Sequence, residues 1–282
     1  MTVVWVQLQP GDGVPIDEIL ESNQQFLGAW RFMARHNPRG EVLDLPDVHI
    51  ASANGAWMML NVAFLRAPVK SAEELQRAAA AAAGYFVPRG NPWMLAVCED
   101  WLPAEVRPRA AELLAPYGLK TGMDTTGMVT DALVPPRRPL PEVELRQAVD
   151  TKGRNDIADI NAHAYDAPRD MVRASLDVPA YFAGEGLGVG YVAYRDGEAA
   201  SSTTVFPIDG VAYVALVATM RQHRKLGCAE AVLRKALDEM HRTQGLKRTV
   251  LHATADGYPV YLRMGYRAVT RIHFYMAAAS PR

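Results

Sequence analysis

The sequence predicts an α+β protein built from two tandem units, each a twisted, mixed but mostly antiparallel sheet flanked by helices. Three observations lead there. The chain has 282 residues, about twice the length of an ordinary domain. Four prolines in seven residues, Pro135-Pro136-Arg137-Arg138-Pro139-Leu140-Pro141, stand almost at its midpoint, where missing amide donors and fixed φ hold a chain extended. The order strand, helix, strand, short helix, glycine, strand reads in both halves, which is the mark of an internal duplication. The units are 1–134 and 142–282, with 135–141 as the linker.

In the first half, 57–65 reads as a strand and Ser71-x-x-Glu74 as a capping box that opens a helix through an alanine-rich stretch. Residues 93–97 form the next strand, 104–114 a helix stopped near Tyr117-Gly118, and 120–134 a final strand. In the second half, 143–149 reads as a strand, followed by helices over 155–165 and 171–182. The turn Asp196-Gly197 joins 190–194 and 199–206 into a hairpin. Asp209-Gly210 leads into the strand 211–219, then a short basic loop and a helix over 229–243. Its apolar face is Val232, Leu233, Ala236, Leu237 and Met240, at helical spacing. Gly245 stops it, 248–253 makes a strand, 258–264 a short helix ending at Gly265, and 267–276 the last strand.

Composition narrows the function. At 49% hydrophobic and 22% charged residues the chain is globular. Thirty basic residues against 31 acidic ones leave a net charge of -1, so no global field draws a nucleic acid or an anionic membrane, and neither is expected as a partner. Cys98 and Cys228 lie far apart without a CxxC, which fits reduced thiols in the cytoplasm better than a disulfide framework or zinc site. Residues 1–9 lack the basic start and the length of a signal-peptide core, and no apolar run approaches ~20 residues. Seven histidines show no HExxH and no phosphate-binding GxxxxGK[ST] motif occurs, so neither metal nor nucleotide-hydrolysis chemistry is expected. The glycine-rich stretch 184–190 precedes a strand where a dinucleotide fingerprint would follow one, and reads as a turn. Oligomeric state is left open.

The segment that carries chemistry is Val217-Ala218-Thr219-Met220-Arg221-Gln222-His223-Arg224-Lys225-Leu226-Gly227-Cys228-Ala229. A strand here delivers a basic, glycine-containing loop onto a helix start, where free amides and the positive helix end suit a pyrophosphate. An ordinary strand-to-helix connection with solvated charges is the alternative. Thirty-four residues after Gly227 stands Tyr261, within Tyr261-Leu-Arg-Met-Gly265-Tyr266. Together the two segments resemble the GNAT superfamily of acyl-CoA-dependent N-acyltransferases, whose pyrophosphate loop reads Gln/Arg-x-x-Gly-x-Gly/Ala, over about residues 142–278. The resemblance implies that acetyl-CoA binds with its pyrophosphate on the amides of Arg224, Lys225, Leu226, Gly227, Cys228, Ala229 and Glu230. It implies that the strand end Val217, Ala218 and Thr219 pairs with the pantetheine arm, and that Tyr261 protonates the departing thiolate. Cys228 then fills the loop.

Two departures from the family pattern stand out. The strand 211–219 holds no Asp or Glu to take the amine proton, and Thr254 stands where many relatives place an asparagine. His252 is the candidate base, with a water chain as the alternative. Asp166 and Asp170 are substrate-facing candidates, though helix capping or solvation explains them as well. In the first half the matching loop, 66–71, has no glycine and includes Pro68, and Leu114 takes the place of Tyr261. That half reads as a degenerate repeat that buries a face of the active one or walls its acceptor site, with Trp57, Trp93 and Trp101 as candidate wall residues. The resemblance implies acetyl transfer to a primary amine of a small molecule by direct attack in a ternary complex. A non-catalytic CoA-binding or regulatory module, or a structural scaffold, is the alternative.

Overall fold

Residues 16–36, for which the sequence reading holds no element, form a 21-residue helix, α1 (Ile16–His36). It is seen in a computed structural model that describes residues 14–182 and 187–279; the readings on 1–9 and on Gly184 and Gly186 lie outside these. There follow β1 (Glu41–Asp44), β2 (Val48–Ser52), β3 (Asn61–Leu65), α2 (Ala72–Phe86), β4 (Trp93–Cys98), α3 (Ala110–Leu114) and β5 (Lys120–Thr130). The second half contributes β6 (Glu144–Gln147), α4 (Thr151–Ala164), α5 (Arg169–Leu176), β7 (Val189–Arg195), β8 (Glu198–Ile208) and β9 (Val211–Thr219). It ends with α6 (Cys228–Gln244), β10 (Thr249–Ala253), α7 (Tyr258–Met264) and β11 (Arg267–Ala277).

Where the elements differ from expectation, local chemistry explains it. The strand expected from 57 begins at Asn61, because Met58–Leu60 folds into a 3-10 turn. The Asn61 amide donates to the carbonyls of Gly55 and Pro92 and so fixes that corner. Pro108 lacks an amide proton, so the helix expected over 104–114 is a 3-10 turn followed by the short α3. The helix expected over 171–182 ends at Leu176, and Pro179 opens a separate turn. Helix α4 starts four residues early because Asp150 caps it, its carboxylate accepting the Gly153 N–H at 2.8 Å.

Among the described residues eleven strands join one sheet, in the order β1-β2-β3-β4-β11-β5-β10-β9-β8-β7-β6. Only β3 with β4 and β9 with β10 are parallel; each parallel pair is bridged by a helix, α2 or α6, as parallel neighbours require. The two expected sheets are therefore one, joined by an exchange. Strand β5 of the first half lies between β10 and β11, and β11 of the second lies between β4 and β5. Each half is completed by the other's last strand.

The two faces of the sheet are covered differently. On one, a single apolar cluster runs through both halves, from Phe26 and Met33 of α1 through Phe64 and Phe274 to Ile157 and Tyr213. On the other are two clusters, one with α2 and α3 and one with α6 and α7. Helix α1 lies on the shared face, and its close approach depends on Gly127 of β5, where a Cβ would collide with Ser22 Oγ. Arg248, just before β10, ties α1 down through Glu21 at 2.5 Å and Glu18 at 3.3 Å, and Arg267 also pairs with Glu18.

Candidate active site

The parallel ladder of β9 and β10 is short. It pairs Ala212 with Thr249, Tyr213 with Val250 and Val214 with Leu251, and beyond these the strands part. On β9 the divergence coincides with a bulge, in which Leu216 and Val217 together face Thr203 of β8. Leu216 takes a left-handed φ of 53°, and its carbonyl accepts from Ser202 Oγ at 3.2 Å and Asn161 Nδ2 at 3.4 Å. A buried network thus holds the strand open.

A cavity of about 90 Å³ occupies the fork. Val217, His252, Thr254 and Tyr261 line its second-half wall, while Phe26 and Trp30 of α1, Trp57 and Met59 form the opposite side. The fold thus brings Val217, His252 and Tyr261 to one cavity, and first-half residues wall it. Trp57 lies on that wall; Trp93 belongs to the core beneath α2, and Trp101 borders a different cavity. Phe26 and Trp30 are wall residues without a counterpart in the sequence reading. The spacing Phe26, Ala29, Trp30, Met33 is an amphipathic helical signal available in the sequence.

Tyr261 sits in the first turn and a half of α7, buried, its ring edge-on to Tyr266 at 5.8 Å. Burial pushes its phenol pKa well up, so it holds its proton at neutral pH. Gly257 makes room for it, since a Cβ there would lie 2.9 Å from the Tyr261 ring. His252 is enclosed by α1: Phe26 stacks on it at 4.2 Å, Nε2 meets Ser22 Oγ at 3.2 Å, and Nδ1 meets the Tyr213 hydroxyl at 3.0 Å. Burial lowers its pKa to about 3, leaving the ring neutral.

The loop into α6 has the backbone an anion cradle needs. Lys225 and Gly227 both take positive φ, 62° and 85°, and Gly227 precedes α6 with no side chain capping the helix. The first amides of α6 are therefore free of a side-chain acceptor. Arg224 lies 3.7 Å from Asp256, Leu226 is exposed, and Glu230 pairs with Arg234 at 2.8 Å. The Cys228 thiol is buried, and burial raises its pKa, which suits a filler and not a nucleophile. Val217, Ala218, Thr219 and Ala229 flank this loop on β9 and α6.

Other candidates fall elsewhere. Asp166 and Asp170 are exposed and do not line the cavity. Thr254 serves the start of α7, its hydroxyl accepting the Gly257 N–H at 3.4 Å. In the first half, β3 and β4 part beyond Phe64 and Ala96, and a second cavity of about 270 Å³ lies there, with Phe26 lining both cavities. No cradle accompanies it: Ser71 Oγ accepts the Glu74 N–H at 3.4 Å, and Glu74 accepts the Lys70 N–H at 2.7 Å. The start of α2 is already capped. Among the described residues no group of three His, Cys, Asp or Glu is placed to hold a metal, and no helix is long and apolar enough to cross a membrane.

Residues 155–266 match the family model described as the acetyltransferase (GNAT) family. That stretch is similar to a GNAT domain. A GCN5-related N-acetyltransferase from Kribbella flavida superposes on most of the chain with a TM-score of 0.67 at 17% identity, covering 93% of this chain and 96% of its own. One from Sphaerobacter thermophilus gives 0.54 at 14%, covering 83% and 78%. An acetyltransferase of the GNAT family from Novosphingobium aromaticivorans gives 0.52 at 17%, covering 89% and 97%. None of the curated proteins compared matches the chain. At these identities the structural likeness is one of fold, and it extends over both halves. The family match supports acyl transfer as the activity of that stretch.

Proposed function

We propose that the chain is an N-acetyltransferase that moves an acetyl group from acetyl-CoA to a primary amine of a small molecule by direct attack in a ternary complex. The observation that supports this most is the placement of a protonated, buried Tyr261 on the wall of the cavity where β9 and β10 part. The loop fits the cofactor: positive φ at Lys225 and Gly227 turns the chain into an uncapped helix start, which suits a pyrophosphate. In this reading the amides from Arg224 to Glu230 hold the pyrophosphate, and the freed edge of β9 at Val217, Ala218 and Thr219 receives the pantetheine arm. When bound, acetyl-CoA supplies an activated acyl thioester.

The residues of the chain do the rest. The walls hold the amine at the fork and exclude water, and Tyr261 hands its proton to the leaving sulfur. With its pKa near 3, His252 stores no proton at neutral pH. Its part is to relay hydrogen bonds between Ser22 and Tyr213, while water accepts the proton the amine gives up. The absence of a carboxylate among the residues lining the cavity favours a second reading, a CoA-binding module without turnover. Tyr261→Phe separates them. In the first reading it lowers kcat by about 10²-fold or more with acetyl-CoA affinity retained; unchanged turnover removes the proton-donor role, and no wild-type turnover with any amine favours the second reading.

A further inference from the structure

The chemistry of the fork cavity limits what can enter it. Among the described residues that line it, none is Asp, Glu, Lys or Arg. Its titratable groups are His252 and the tyrosines Tyr165, Tyr213 and Tyr261. Burial lowers the histidine's pKa and raises those of Tyr213 and Tyr261, and a phenol keeps its proton up to about pH 10 even in water, so all four are uncharged at neutral pH. The remaining wall is uncharged: aromatic and thioether side chains, among them Phe26, Trp30, Trp57, Met59 and Phe274, with aliphatic residues and the hydroxyls of Thr125 and Thr254. A second charge on a ligand, whether ammonium or carboxylate, would meet no counter-ion there and would lose its hydration.

Size and shape narrow this further. At about 90 Å³ the enclosed space is smaller than the ~150 Å³ that encloses a benzene molecule. A ring can therefore be held only in part within the cavity; Tyr165, a partly exposed lining residue, has its ring 6.3 Å from that of Trp57. These are flat surfaces suited to a ring.

We propose, on the basis of the acyltransferase reading, that the acceptor is a small arylamine, taken from water as the neutral free base. Transfer needs the neutral amine, and an alkylamine resembling lysine is neutral in only about one molecule in 10³ at pH 7. A wall without carboxylates gives no base to strip such an amine and no charge to hold it. An arylamine, with its lone pair delocalised into the ring, enters already neutral. In the reaction its nitrogen bonds to the acyl carbon, the carbon–sulfur bond breaks with the electron pair leaving on sulfur, Tyr261 protonates that sulfur, and one N–H proton passes to water.

The test compares aniline, benzylamine, lysine and spermidine by calorimetric binding and by acetyl-CoA-dependent acetylation at pH 7, beside the variants Met59→Glu and Met59→Gln. Aniline should bind at least tenfold more tightly than benzylamine and be acetylated, with lysine and spermidine neither bound nor acetylated. Met59→Glu should favour benzylamine at the expense of aniline, and the uncharged Met59→Gln should not. Acetylation of lysine or spermidine in preference to aniline overturns the acceptor class and leaves acyl transfer standing. Acetyl-CoA binding with no acetylation of any of the four overturns both.

Discussion

Gly227 and Gly245 bracket α6 in nearly the same backbone conformation, φ 85° and 72° with ψ near 0°, and this pairing makes a controlled test of the cradle. A side chain in the left-handed region costs roughly 1–2 kcal/mol. Gly245→Ala meets nothing within 4 Å, so its cost is that strain alone. Gly227→Ala carries the same strain and brings a Cβ to 3.1 Å from Pro141 Cδ, a contact tight enough to press on the linker. Both variants should lower Tm by a few degrees. They should differ in binding. The Gly227 variant relieves its strain by turning its φ negative, which swings the amides of Cys228 and Ala229 out of the cradle, and acetyl-CoA must drive them back. Returning 1–2 kcal/mol corresponds to an affinity loss of roughly 5- to 30-fold. Calorimetric titration of the three proteins with acetyl-CoA measures it. Equal affinity for wild type, Gly227→Ala and Gly245→Ala would refute the assignment of the cradle, whatever the two variants do to stability.

Gly257→Ala tests the tyrosine's position without touching the tyrosine: φ is an ordinary -78°, but the new Cβ crowds the Tyr261 ring, so kcat should fall tenfold or more while acetyl-CoA affinity holds. His252, neutral when folded with a pKa near 3 against 6.5 when unfolded, takes up its proton more readily in the unfolded chain. Its contribution is complete above pH 6.5 and is lost as pH falls toward 3; urea titrations at pH 7 and 4.5 should show a smaller acid loss in His252→Gln. His273 has the opposite sign. Burial alone would lower its pKa, but hydrogen bonds to Asp124 at 2.8 Å and Glu99 at 3.0 Å prevail and raise it to about 9. Its stabilisation, at most about 3 kcal/mol, is present below pH 6.5 and disappears as pH rises through 9, so His273→Gln should destabilise at pH 6 and be nearly neutral at pH 10. Finally, residues 142–282 expressed alone lack β5 and leave facing edges of β10 and β11 unpaired; the fragment should aggregate or unfold without cooperativity, and a sharp thermal transition in the soluble fragment would contradict the exchange.

Much of the second half was legible because its signals are local. The turn Asp209-Gly210 and the helical spacing from Val232 to Met240 act within a few residues, and β9 and α7 span the residues expected of them. The turn into α6, with positive φ at Lys225 and Gly227, and the short helix that carries Tyr261 to the fork likewise follow a pattern of residue types. What the sequence concealed was longer in range. No local rule announces that β5 leaves its own half to lie between β10 and β11, since a strand's pattern records which face is buried and not which neighbour it pairs with. The environment of His252 was hidden for the same reason: its contacts are Ser22 and Phe26, some 230 residues away in sequence. Read alone, a strand histidine near the fork invites a base; with α1 over it, burial makes the same ring a weak one.

The exchange also explains why a half without a cradle persists. Were the first repeat an appendage, its loss would cost an outer layer. Here its last strand is an interior strand of the shared sheet, and its first helix contributes Phe26 and Trp30 to the wall of the fork cavity. The fork of the second repeat therefore depends on the first repeat's strand β5 and on the buried face of α1. The loop at 66–71 does not line that fork, and its helix is capped by Ser71 and so needs no anion to satisfy it. The topology thus separates two features: the framework is common to both halves, whereas a helix start without a side-chain cap is found at α6 and not at α2.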